Sequence, residues 1–392
     1  MRKINAMKSV LVALAGAAAM VWLAASVHGQ APVISSFGKN GELVCTNLQP
    51  GSTASVKCAS FVLGPWTNSS PGLDAVMADT NGTIRVNVPL LSVSGSMFYR
   101  VLGTPLSTNP PAPAGMVLIP AGPFTMGDTL DGDTYAQPVH TVQVSAFYMD
   151  KYEVTKALWD EVREWANTNG YDLGTIGSGK ASNHPVQMVN WYDVVKWCNA
   201  RSEKAGLVPA YYTDAGQATP YRTGQTNVQN DWVKWNVGFR LPTEAEWEKA
   251  ARGGASSQRF SWGNTISWSQ ANYYANPAAF PYDVNSTNGY HPAFDDGVSP
   301  YTSPVGYFSP SGYGLCDMAG NVVEWCWDWY GLYESAPQTD PRGAASGSHR
   351  VVRGGVWYGD ASYCRSAQRG GYYPTYQYYG FVGFRPVLAP GW

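Results

Sequence analysis

Charge is scarce in this chain. Asp, Glu, Lys and Arg supply 14% of its 392 residues, against roughly a quarter in ordinary soluble domains. The 26 basic and 28 acidic residues leave a formal charge of −2. That balance argues against nucleic acid as the main partner, because neutralising phosphates takes a basic face. The Ala/Glu/Lys/Leu bias of a helical bundle or coiled coil is also missing. The 6 cysteines are too few for a disulfide-dense scaffold, none forms CxxC, and no Cys/His group has zinc spacing. There is no GxSxG elbow, no HExxH, no P-loop and no dinucleotide fingerprint. His140, His184, His291 and His349 stand apart in sequence and read as loop or packing residues.

Glycine, proline and aromatic residues are plentiful instead: 42 Gly, 27 Pro, 16 Trp and 25 Tyr. Such a chain can fill a large core, so disorder is excluded. Many short elements joined by shaped loops are expected.

The first 29 residues read as a secretory signal peptide. Arg2, Lys3 and Lys8 precede an apolar run over 10–27, and small residues follow. An uncleaved anchor is the alternative. No later run reaches the ~18 apolar residues of a membrane span, so the expected location is secreted or periplasmic. Residues 32–104 read as a small all-β sandwich: alternation at 54–58 and 84–88 is broken by turn signals such as Asn81-Gly82. The stretch around Trp66 and the closing 97–101 resemble fibronectin-III-like modules. If the strands holding Cys45 and Cys58 form a hairpin, their sulfurs face each other and can bridge; the other reading is two buried thiols. Residues 105–115 are a Pro-rich linker, a semi-rigid spacer. Residues 116–390 then read as one long domain.

Helical spacing of apolar residues predicts helices over 154–167 and 191–205. A third is the best specified. Thr243 and Glu246 form a capping box, 245–252 fill the helix, and Gly253-Gly254 stop it. Two loops combine carboxylates with glycine: 294–298 (FDDGV) and 317–324 (DMAGNVVE). Ca2+ takes six to eight oxygens from such irregular backbone. A solvated acidic loop is the other reading.

Several stretches converge on one resemblance. They are 116–127 (MVLIPAGPFTMG), 146–155 (AFYMDKYEVT), Pro185-Val186 with 189–191 (VNW), and 239–248 (FRLPTEAEWE). Further on come 312–315 (GYGL), 320–325 (GNVVEW), 353–355 (RGG) and 383–385 (GFR). In this order they resemble the formylglycine-generating enzyme (sulfatase-modifying factor) family across 116–388. The resemblance implies an α+β domain with little regular secondary structure, of the C-type-lectin-like class. It implies two structural Ca2+ sites. One would use Asn272, the Tyr273 carbonyl, Asp296 and the Val298 carbonyl. The other would use Asp317, the carbonyls of Gly320 and Val322, and Glu324.

The founding enzymes of that family oxidise a substrate cysteine with O2 and Cu(I) held by two thiolates, soft ligands suited to Cu(I). Here Cys364 matches the second thiol, but Gly359 stands at the first, Val356 at a serine position and Val323 at a tryptophan position. Cys198 matches a disulfide cysteine whose partner position is Pro386, so that bridge is not expected. Two functions are therefore in play. The first is an exported, calcium-stabilised binding or scaffold module for a protein or peptide, or for a carbohydrate. Its cleft would be lined by Trp357, Tyr358, Tyr372, Tyr373, Tyr376, Tyr378 and Tyr379. The second is a metal-dependent oxidoreductase acting on a sulfatase-type cysteine or another thiol, with Cys364 as ligand or nucleophile.

Overall fold

The computed structural model describes residues 112–377 and 380–390, and ahead of them the backbone of strands between Ser9 and Thr104. The chain divides into two units, Met1–Thr108 and Asn109–Trp392.

The first unit holds two sheets. Ser9–Leu14, Ala17–Leu23, Phe98–Thr104, Thr53–Ala59 and Thr67–Asn68 follow one another in the larger, with Val76–Met77 also on Thr53–Ala59. Val33–Phe37, Glu42–Thr46 and Ile84–Asn87 form the smaller. Both stretches of alternating sequence are strands. The hairpin premise for a Cys45–Cys58 bridge does not hold. Cys45 pairs with Ile34 and Ile84, whereas Cys58 pairs with Tyr99 and Thr67 in the other sheet. Their side chains lie outside the described residues. Ser9–Leu14 and Ala17–Leu23 fall within the segment read as a signal peptide.

In the second unit, strands from its own beginning and end share one sheet. Met116–Ile119 pairs with Phe147–Asp150, which pairs with Val387–Leu388, which pairs with Phe239–Arg240. A second sheet joins Gly122–Met126, His140–Val144 and Gln338–Thr339. The third, in the order Arg369–Tyr372, Arg350–Arg353, Val323–Trp329 and Val382–Gly383, carries the motifs that end the domain.

The three helices lie where periodicity predicts them. Helix α1 is Lys156–Thr168, capped by Thr155 onto the Leu158 N–H at 3.1 Å. Helix α2 is Trp191–Lys204, capped by Asn190 onto the Asp193 N–H at 3.0 Å. Helix α3 is Glu244–Arg252, with both halves of the capping box formed and Gly253 left-handed at φ 58°. Because Thr243 satisfies a buried N–H at 3.2 Å, Thr243→Ala is expected to cost about 1 kcal/mol. Urea denaturation of the purified chain would measure it.

With so few ladders, indole donors tie the loops together. Trp159 and Trp197 stack at 5.7 Å across α1 and α2, and Phe384 meets both edge-on. The Trp159 N–H donates to the Ile176 carbonyl at 2.7 Å, Trp191 to Cys326 at 3.0 Å and Trp325 to Val189 at 3.0 Å. Each bond gives an indole N–H and a main-chain carbonyl a partner away from water.

Candidate functional site

The segment after Arg353 is shaped by two glycines that no other residue can replace. Gly354 and Gly355 have φ of 102° and 81°, and a Cβ on Gly355 would lie 2.8 Å from the Tyr363 carbonyl. The turn they make lays the chain on two neighbours. The Gly320 N–H donates to the Gly354 carbonyl at 2.7 Å, the Trp357 N–H to Asn321 at 2.9 Å, and the Tyr274 N–H to Gly359 at 2.9 Å.

A cleft of about 480 Å³ opens beside this turn, lined by Ser299, Trp357, Tyr358, Tyr372, Tyr376 and Phe381. Tyr372 and Tyr376 stack at 4.7 Å, and Phe381 meets Tyr358 edge-on at 5.2 Å. Tyr358 is 39% exposed, while Trp357 is buried at the cleft wall. Burial pushes the Tyr358 phenol well above its ordinary range, so it stays neutral and can donate or accept a hydrogen bond. Four of the rings expected from sequence therefore converge. Tyr373 does not; it lies tilted against His349, ring centroids 4.2 Å apart, and is not in the cleft lining. Tyr378 and Tyr379 lie outside the described residues. Phe381 and Ser299 were not anticipated, because Phe381 looks like part of the Gly383-Phe384-Arg385 motif and Ser299 comes from a distant loop.

Cys364 lies in the interior. It is 1% exposed among Phe260, Ile266, Ala271, Tyr273 and Ala361. Burial, with Asp360 and Asp283 adding to it, pushes the thiol well above its ordinary value. That opposes the thiolate that both metal ligation and nucleophilic attack need. The Gly359 position offers no second sulfur. Cys198, Cys316 and Cys326 are also buried and unpaired, and Cys326 belongs to a different cluster. The unpaired state of Cys198 agrees with the Pro386 departure.

The residues implied as calcium ligands fall into two unlike groups. In the second set, Asp317 and Glu324 are buried together with Glu153. Arg385 clasps Glu324 at 2.7 and 2.8 Å, and the Trp247 indole donates to it at 2.8 Å. Asp317 Oδ2 accepts the Gly306 N–H at 2.5 Å, but its Oδ1 is buried without a partner. Burial pushes the Asp317 carboxyl up to about 6, with Glu324 adding to the rise against Gly306 and Arg385. Glu153 is raised by burial and by both carboxylates. It also braces the turn, accepting from the Asn321 side chain at 2.6 Å and the Val322 N–H at 3.2 Å. Three buried carboxylates thus share one guanidinium, an arrangement short of positive charge. Gly320 has φ 78°, and a Cβ there would lie 2.2 Å from the Asn272 carbonyl.

The first set is engaged differently. Asn272 is buried; its amide donates to the Tyr301 carbonyl at 2.8 Å and its Oδ1 has no partner. The Tyr273 carbonyl accepts the Trp268 indole at 3.2 Å. Asp296 and Val298 lie on an exposed loop, and the Lys180 ammonium donates to Asp296 Oδ1 at 2.7 Å and to the Val298 carbonyl at 3.0 Å. Sequence reading missed Lys180 because it lies more than a hundred positions away. Among the described residues no three His, Cys, Asp or Glu side chains close on one point as a metal cluster.

The fold and this arrangement define a class. The family model of the sulfatase-modifying factor enzyme 1-like domain matches residues 104–390, and the chain belongs to that family. It is 34% identical to the formylglycine-generating enzyme of Streptomyces coelicolor over 66% of this chain and 83% of that protein. It is equally, 34%, identical to the chaperone protein LppX of Paenibacillus barcinonensis, over 62% of this chain and 78% of that protein. Among solved structures it is similar to Treponema denticola variable protein 1, with 32% identity, a TM-score of 0.54, and coverage of 73% of this chain and all of that one.

Proposed function

We propose that this chain is an exported, calcium-stabilised binding module of the family, and that its ligand, a protein or peptide, enters the aromatic cleft. In this reading the domain over 116–390 has a C-type-lectin-like framework, and a β-module and a Pro-rich spacer precede it. A single observation carries the proposal. Where the family's copper site would lie, the chain has Gly359 and a packed Cys364 thiol, and beside them a cleft walled by five aromatic rings. Aromatic walls give large contact area for little conformational entropy, which suits recognition. Carbohydrate is the second ligand class, and the lining's lack of charged or amide side chains favours peptide over sugar. The identity with formylglycine-generating enzymes supports the competing reading, a thiol oxidoreductase.

Calcium fits the second set better than the first. Asp317 Oδ1 is an orphaned buried oxygen beside an excess of carboxylates. Asp317 would hold the ion with the Gly320 and Val322 carbonyls, since Ca2+ draws freely on backbone oxygens, and Glu324 would share its carboxylate between the ion and its present donors Arg385 and Trp247. The ion would supply positive charge that locks the 317–324 turn, against which the cleft segment packs.

Cu(I) titration and O2 uptake with a Cys-containing peptide separate the two functions. The expected result is no tight copper site, no turnover, and no difference between the native chain and Cys364→Ser. Tight, Cys364-dependent copper binding with O2 consumption would establish the oxidoreductase instead.

A further inference from the structure

Most oxygens of the first implied calcium set are already occupied. Asp296 Oδ1 receives the Lys180 ammonium at 2.7 Å and the Val298 N–H of its own loop at 3.1 Å. The Val298 carbonyl receives the same ammonium at 3.0 Å. The Tyr273 carbonyl receives the Trp268 indole. What is left is Asn272 Oδ1, buried without a partner, and the second carboxylate oxygen of Asp296, whose side chain is 54% exposed; two oxygens are far from the six to eight that Ca2+ takes. The Lys180 side chain is only 20% exposed, and its ammonium lies 5.6 Å from the Tyr301 ring centroid. Tyr301 is the residue whose carbonyl holds Asn272, so the lysine is part of the packing that joins the two halves of the set.

We propose that the ammonium of Lys180 replaces an ion at Asn272, Tyr273, Asp296 and Val298, so that the chain binds one Ca2+, at Asp317 and Glu324, and not two. A monovalent cation on a long stem neutralises Asp296 and satisfies the loop carbonyl without leaving the chain. A divalent ion entering beside it would meet like charge at close range. The 294–298 loop would then be held in any calcium concentration, while the 317–324 turn answers to calcium. The inference rests on the calcium reading of the second set, and the two can fail separately.

Bound calcium per chain is measured by atomic emission after equilibrium dialysis of the full chain against millimolar Ca2+. One ion is expected in the native chain and in Asp296→Asn, whose carboxylate is on the surface and whose loss should leave folding intact. None is expected in Asp317→Asn. Lys180→Met, which clears the ammonium from both oxygens, is expected to raise the count toward two. Two ions in the native chain, loss of an ion in Asp296→Asn, or an unchanged count in Lys180→Met would overturn the lysine inference. No ion in the native chain would overturn the calcium reading on which it stands.

Discussion

Glu248→Ala is expected to lower the unfolding free energy by about 3–5 kcal/mol, the range for removing one partner of a buried ion pair. Glu248 is fully buried on α3. It accepts from Arg252 at 2.7 and 3.0 Å and from the Gly127 N–H at 2.8 Å, and it pairs with Arg353. Deleting the carboxylate leaves the buried Arg252 guanidinium without a carboxylate partner, takes one of the two from Arg353, and strands one amide. Native domains have only about 5–15 kcal/mol of stability, so the variant should be partly unfolded at physiological temperature. Glu161→Ala is the control: its side chain is 62% exposed in its pair with Lys204, and its loss should stay within about 1 kcal/mol. Guanidinium denaturation followed by circular dichroism distinguishes them; equal effects would refute the account.

The same residue gives a pH dependence. Burial acts to raise the Glu248 carboxyl, but Arg252, Arg353 and the Gly127 N–H outweigh it and hold the group below its ordinary value. A depressed folded value means the stabilisation is present above the ordinary carboxylate pKa of about 4.3. It is lost as pH falls from there through the folded value. Glu248→Gln should flatten that part of the acid unfolding curve; an unchanged curve would show that other carboxylates set it.

Chelation is the second large effect. An ion that binds only the native state, present at 100 times its dissociation constant, adds about 2.7 kcal/mol. In a domain of this size each kcal/mol moves Tm by roughly 2–4 °C, so EDTA should lower Tm by about 5–10 °C. Added Ca2+ should restore it, and Asp317→Asn should start low and fail to respond. A melt indifferent to EDTA, with no metal found in the purified chain, refutes the calcium reading.

Local chemistry was readable from sequence wherever one segment carried the whole signal. The Thr243–Glu246 box needed only a spacing of three, and the stop at Gly253 needed only a residue that tolerates positive φ. The 294–298 and 317–324 loops are visible as acid-and-glycine runs, because their carboxylates and turns are neighbours in the chain. Four of the cleft's rings, Trp357 and three tyrosines, are visible as an aromatic cluster following Gly354-Gly355. Ser299 and Lys180 are not, since each comes from a distant part of the chain, and Phe381 is hidden beside the Gly383-Phe384-Arg385 motif.

By itself, then, the sequence determined the helices and their caps, the glycines of the 353–355 turn, the missing first thiol at Gly359, and the family. Those are properties of residue type and short spacing, and they survive whatever the rest of the chain does. Only the tertiary structure decided which charges meet. It aligned Val387–Leu388 between Phe147–Asp150 and Phe239–Arg240. It set Arg353 against Glu248 and Arg385 against Glu324. It buried Cys364 and carried Lys180 onto Asp296. Nothing local to either partner specifies such a pair. The two arginine pairs exist because burial makes an unmatched charge too costly, and a fold with so few ladders closes only when those distant matches are made.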